Sequence, residues 1–232
     1  MTLKVVVPIS GGKDSQACLK LALMTYAPDE VRGLFCDTQF EHPETYKHVD
    51  WMGAHYGVRI DRVTGGSVLE KAIKYGRFPG GGARHCTDEL KIREGAAPLE
   101  VWYGMRSKES NERKRRYAGK VCAEVYPPHE VMPGKYPKML GRGGIVFRLA
   151  VLDWTDADVL DFLAGEEHPF YDLGFPRVGC FPCLASGDKW KRKAFQHDEF
   201  GREQHRKVIT IASLINKSPW SNDDNSCGVC SI

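Results

Sequence analysis

Two short runs near the start of the chain, residues 3–9 and 31–36, are predominantly apolar and rich in Val and Leu. Strands covered on both faces of a parallel sheet read this way rather than alternating. Between them, residues 15–26 place Ala17, Leu21 and Met24 at helical spacing and stop short of Pro28. Residues 43–56 form a second helical pattern, with Pro43 in the first turn and Gly57 just past the end. A third strand is expected over 58–63 and a helix over 68–75. This alternation predicts an α/β fold built on a doubly wound, mainly parallel sheet. Ligands of such sheets collect beyond the carboxyl ends of the strands.

Further along, residues 76–82 are rich in Gly and Pro and read as a surface loop, followed by a helix from about Thr87. Residues 100–104 and 145–150 are strand candidates. Thr155 opens another helix, with Asp158 near its third position and an apolar face of Val159, Leu160 and Leu163. After Pro169 the pattern breaks into a loop that carries Cys180 and Cys183. A long helical stretch runs from Lys189 to about Asn216, with Gly201 as the candidate break, and the tail from Ser218 reads as irregular. The expected organisation is a nucleotide-binding α/β domain over 1–165 and a C-terminal cysteine-containing helical segment with its tail over 166–232. No internal repeat is present.

The chain has 232 residues, enough for one domain with a real core. No apolar run reaches the length of a membrane span, and the N-terminus shows no leader pattern. A cytoplasmic protein without membrane contact is the expectation. In that setting the eight cysteines point to metal or redox use rather than a disulfide framework. A net charge of +3 selects no partner by itself.

Candidate chemistry begins with Ser10, Gly11, Gly12, Lys13, Asp14 and Ser15, between a strand and a helix. A Gly-rich turn opening a helix aims free backbone N–H groups at one point, and the helix N-terminus adds partial positive charge there. The two glycines allow close approach and unusual backbone angles. Lys13 adds a point charge, and Ser15 can donate or cap. The spacing is not that of a Walker A loop, which needs four residues between its first Gly and its Gly-Lys pair. The cysteines admit three assignments. Cys86, Cys180 and Cys183 can hold an iron–sulfur cluster; the pairs Cys180/Cys183 and Cys227/Cys230 can form a zinc site; or the tail pair is redox-active. Cys18 and Cys36 read as core residues. Arg106 leads a basic group with Lys108 and residues 113–116, and suits a phosphate or sulfate clamp. Residues 189–193, Lys-Trp-Lys-Arg-Lys, read either as a nucleic-acid grip with one stacking aromatic or as a charged helix face.

Ser10 to Ser15 resembles the SGGxDS loop of the PP-loop ATP pyrophosphatases. Asp37-Thr38-Gln39, followed by Pro43-Glu44-Thr45, is similar to a DTG-x-x-x-PET segment of the phosphoadenosine-phosphosulfate (PAPS) reductase branch, with Gln39 where Gly is usual. Arg84-His85-Cys86-Thr87, Gly104-Met105-Arg106 with Glu109-Ser110, and Gly179-Cys180-Phe181-Pro182-Cys183 follow in the branch's order. The resemblance implies an adenine nucleotide alpha hydrolase-like fold. It implies a nucleotide site of Ser10, Gly11, Gly12, Lys13, Asp14, Ser15, Asp37, Thr38, Gly104 and Arg106, taking ATP with Mg²⁺ near Asp14. It favours a 4Fe-4S cluster on Cys86, Cys180 and Cys183, with zinc as the alternative. Adenylyl-sulfate reductases usually carry two adjacent cysteines at the first of these sites, where Thr87 stands here.

Cys227-Gly228 is similar to the reductases' terminal Cys-Gly, but Ser226 and Val229-Cys230 replace its Glu and His. Lys13, Asp14, Cys227 and Cys230 are the expected catalytic residues. The intact Lys13-Asp14 pair favours an ATP-dependent sulfurtransferase acting on an acceptor such as nucleic acid, with a sulfur donor or thiol reductant protein as partner. The alternatives are an adenylyl-sulfate or PAPS reductase and a non-catalytic nucleotide-binding module.

Overall fold

The strands form where the apolar runs predict them. The computed structural model describes residues 3–79, 100–132 and 144–220. Strands β1 (Val5–Ile9) and β2 (Val31–Asp37) pair in parallel, with Val5 opposite Val31 and Ile9 opposite Phe35. β3 (Ile60–Thr64) joins the outer edge of β2, and β4 (Glu100–Trp102) the other edge of β1. β5 (Val125–Tyr126) is antiparallel to β6 (Val146–Arg148), which pairs parallel with β4. The order is β3-β2-β1-β4-β6-β5, a mostly parallel six-stranded sheet. The antiparallel edge was not legible in the apolar pattern.

Helix α1 (Lys13–Thr25) connects β1 to β2, and α2 (Pro43–His55) connects β2 to β3. Val5, Val7 and Ile9 are buried against Ala17, Leu19 and Ala22 of α1. Val49 and Met52 of α2 extend that cluster, and each such Val or Leu contributes about 1.5–3 kcal/mol by its burial. α3 (Val68–Tyr75) begins at a reciprocal Ser67/Glu70 cap. α4 (Asn111–Arg116), α5 (Pro128–Val131) and α6 (Asp156–Leu163) follow, the last with the Thr155/Asp158 cap read from the sequence. After β3 the chain returns to the far side of β1 to make β4. The carboxyl ends of β1 and β4 therefore flank a topological switch point.

The long C-terminal helix is two helices, α7 (Asp188–His197) and α8 (Glu199–Ile215). The break is at Asp198, whose backbone is extended, rather than at Gly201. Asp198 caps α8 by accepting from the Gly201 N–H at 2.8 Å, and its other oxygen lies 2.8 Å from His42 Nε2. His42 Nδ1 accepts from the Glu44 N–H at 3.1 Å, so Nε2 carries the proton donated to Asp198. This histidine caps α2 and ties it to the α7–α8 elbow. Gly201 sits inside α8, where a Cβ would come within 2.2 Å of the Ala194 carbonyl oxygen. It is glycine because the elbow folds back onto it.

Gly201→Ala is expected to lower the unfolding free energy by about 1–3 kcal/mol, the usual range for overpacking. Urea unfolding measures this, and an unchanged midpoint would contradict the close approach.

Candidate active site

The loop between β1 and α1 is closed by its own serines. Ser15 Oγ donates to the Gly12 carbonyl at 2.8 Å and accepts from the Ser10 N–H at 3.2 Å. Ser10 Oγ accepts from the Gly12 N–H at 3.3 Å. Gly11 has φ +79°, and a Cβ there would lie 2.6 Å from Thr45 Cγ2, so both backbone and space require glycine. α1 starts without a side-chain cap from its N-cap residue Gly12. The Lys13 N–H donates instead to the hydroxyl of Tyr171 at 3.0 Å.

Two cations lie buried beside this loop. Lys13 is 5% exposed, with Nζ 2.6 Å from Asp156 Oδ1 and 3.3 Å from Asp14 Oδ1. Arg106 is 4% exposed, and its Nη2 donates to Asp156 Oδ1 at 2.9 Å. Its Nε is 2.9 Å from Asp14 Oδ1 but is not aligned for a hydrogen bond. Glu109 is a third carboxylate at 3.9 Å and also pairs with the buried Arg113, whose burial pushes its guanidinium down to about 10. Burial alone would raise Asp156, but the hydrogen bond from Lys13 and the charges of Lys13 and Arg106 outweigh it. The Asp156 carboxyl is held below its ordinary value. Gly104, at the end of β4, fits because a Cβ would come within 2.9 Å of the Asp14 carbonyl oxygen.

These groups open on a cavity of about 1360 Å³, large enough for a nucleotide. Ser10, Gly12, Lys13, Asp14, Ser15 and Arg106 line it, as do Cys180 and Cys183. Asp37 ends β2 and Thr38 follows it, and neither is among the residues that line the cavity. Asp37 Oδ1 accepts from the Gln39 N–H and the Tyr46 hydroxyl, both at 2.7 Å. Thr38 is fully buried and donates to Glu41 Oε1 at 2.6 Å. Its hydroxyl is 3.3 Å from Cys180 Sγ, through which the cysteine loop meets the end of β2. Gln39 has φ +55°, the left-handed region that explains the glycine usual at this place in the motif.

Residues 4–186 match the phosphoadenosine phosphosulfate reductase domain. The chain belongs to this family. An uncharacterized protein of Methanocaldococcus jannaschii is 30% identical over 192 residues, covering 78% of this chain and 36% of the relative. A probable chloroplastic 5′-adenylylsulfate reductase of Oryza sativa subsp. japonica is 30% identical over 190 residues, covering 77% and 38%. A 37.8 kDa protein of Escherichia phage 186 is 26% identical, covering 77% and 66%. The chain thus spans from about a third to two thirds of these relatives' lengths.

The PAPS reductase domain match takes in the loop, the Asp37-Thr38 turn, Arg106, Cys180 and Cys183, and ends before Cys227 and Cys230. Cys86, Cys227 and Cys230 lie outside the described residues, as does the helix expected from Thr87. Cys180 Sγ meets the Thr38 hydroxyl, Cys183 is in no disulfide with a described residue, and among the described residues no three metal-ligating side chains converge. Asp14 and Asp156 flank one ammonium and offer the hard oxygen donors that Mg²⁺ takes together with phosphate oxygens.

In the basic 189–193 stretch, Lys191 is buried against Asp188 and the Pro219 carbonyl, and Lys193 bonds the Leu173 and Gly174 carbonyls. Those two cations are engaged by the protein itself. Among the described residues no helix is long and apolar enough to cross a membrane. Asp156 and Tyr171 carried no signal of their own in the sequence beyond a helix start and an aromatic in a loop.

A polar brace stands behind the loop. Gln16 is fully buried; its Oε1 is 2.9 Å from His48 Nε2, and its Nε2 donates to the Glu166 carbonyl at 2.7 Å. The His48 and His168 rings lie 5.0 Å apart, and burial pushes both down to about 4. The unfolded chain, with histidines near 6.5, takes up these protons first. Stability is therefore expected to be full above about pH 6.5 and to decline toward pH 4. Replacing both histidines with Gln should flatten that slope in denaturant titrations, and an unchanged slope would contradict the burial argument.

Proposed function

We propose that this PAPS reductase-family chain is an ATP-dependent sulfurtransferase that seats the nucleotide's phosphate chain on the Ser10 to Ser15 loop. The observation that carries this reading is the pair of carboxylates, Asp14 and Asp156, flanking the buried Lys13 at the loop. An acceptor oxygen attacks the α-phosphorus, the bond to pyrophosphate breaks, and the leaving oxygen's charge meets Lys13 and the α1 N-terminus. A sulfur nucleophile then displaces AMP from the adenylated acceptor. Asp14 and Asp156 would hold Mg²⁺, which neutralises phosphate charge when bound. Arg106 orients both carboxylates from behind. We assign nucleotide binding to residues 1–165 and thiol chemistry to 166–232, in the cytoplasm. Cys86, Cys180 and Cys183 are the proposed ligands of a 4Fe-4S cluster, or the two CxxC pairs of zinc, and neither group enters the steps above. A sulfur donor or thiol reductant protein would be the partner, and a nucleic-acid acceptor gains no support from Lys191 or Lys193.

A second reading is supported by the rice relative, named as an adenylylsulfate reductase. Here a Cys227 or Cys230 thiolate attacks the sulfur of a sulfonucleotide, the S–O bond to the phosphate breaks, and an S-sulfonate forms as the nucleotide leaves (AMP from adenylyl sulfate). A thiol of the reductant then attacks the cysteine sulfur, forming a disulfide and releasing sulfite.

Protein purified anaerobically and given ATP with candidate acceptors should release pyrophosphate, and Lys13→Ala should lower that rate roughly 100-fold. Sulfite release from labelled adenylyl sulfate without ATP consumption would establish the second reading instead. Iron, sulfide and zinc analysis of wild type against Cys180→Ala tests the metal. Equal content in both would remove Cys180 as a ligand.

A further inference from the structure

Tyr171 reaches the loop from 158 residues beyond Lys13. Its ring packs with Phe170, Phe175, Val178 and Phe181, and Lys13 Nζ lies 5.5 Å from the ring centre. Its oxygen accepts the Lys13 N–H at 3.0 Å and stands 3.2 Å from where a Cβ on Gly12 would be. The hydroxyl therefore takes the place of the missing side-chain cap on α1. A hydroxyl has one proton to give besides its lone pairs. Among the described residues no acceptor takes that proton, and the side chain lines the cavity beside Lys13 and Asp14. Burial raises this phenol above the ordinary tyrosine value, outweighing the Lys13 and Val178 amides and the Arg177 charge, which act the other way. It stays protonated, and so a donor, throughout the neutral range.

We infer that Tyr171 donates its hydroxyl hydrogen bond to a phosphate-chain oxygen of the nucleotide seated on the Ser10 to Ser15 loop. This rests on the phosphate-seat reading above and adds a substrate-binding residue to it. Accepting from a helix N-terminal amide polarises the O–H, which carries the positive end of α1 one hydroxyl further into the cavity. The competing role is a plug, in which the hydroxyl only occupies the Lys13 amide and must leave when a phosphate arrives. The two roles predict opposite effects of removing the oxygen.

The test titrates the full chain with inorganic pyrophosphate in the presence of Mg²⁺ by calorimetry, comparing wild type, Tyr171→Phe and Lys13→Ala. Phe keeps the ring's packing and removes the donor. Its Kd should rise tenfold or more, roughly the loss of one hydrogen bond to a charged acceptor. Equal or tighter binding by Tyr171→Phe overturns the inference. If Lys13→Ala weakens binding in that case, the phosphate-seat reading stands without Tyr171. If wild type binds no pyrophosphate, both fall. Should Tyr171→Phe fail to fold, 3-fluorotyrosine placed at position 171 supplies the readout. Its fluorine resonance should shift on saturation with pyrophosphate, and an unmoved resonance overturns the inference.

Discussion

Two cations are buried where the sheet reverses direction, and the site takes its shape from the carboxylates that make this possible. Removing the partner of a buried charge costs about 3–5 kcal/mol, so neither Lys13 nor Arg106 could sit there unaccompanied. Asp14 comes from the same turn of α1, Asp156 from the start of α6, and Glu109 from the turn after β4. Three separate elements are thereby drawn to one point. Gly104 lets them close, because any side chain there would strike the Asp14 backbone.

The same network sets the terms for a ligand. An anion reaching Lys13 competes with Asp14 and Asp156, and whatever frees the ammonium leaves two carboxylates needing positive charge. A phosphate chain arriving with a divalent cation satisfies both requirements at once. A lone anion satisfies only the first. Cys180 is held against Thr38 and Glu41, which joins the cysteine loop to the segment that follows β2. The sheet in this way sets the distance between the Ser10 to Ser15 loop and the Cys180 side chain.

Much of this was legible in the sequence where local rules apply. The strand-loop-helix around Gly11 and Gly12, Pro43 opening α2 and the Thr155/Asp158 cap all follow from short-range backbone chemistry. Long-range partners were not legible. Nothing near Tyr171 announces that its hydroxyl caps a helix at the other end of the chain. Asp156 read only as a helix start, because its ion pairs depend on how α6 meets the loop. The break at Asp198 carries no local signal, because helical spacing of buried positions continues on both sides, while Gly201, expected as the break, lies inside α8 and serves packing. β5 is two residues long and exists only through pairing with β6, which no periodicity can report.

The measurement that bears most directly on this account is calorimetric binding of ATP with and without Mg²⁺, comparing wild type with an Asp14→Asn/Asp156→Asn double variant. If the paired carboxylates make the loop a seat for a phosphate chain with its cation, wild type binds ATP much more tightly with Mg²⁺, and the double variant loses that dependence. Mg²⁺-independent affinity in wild type, left unchanged by the double substitution, would contradict it.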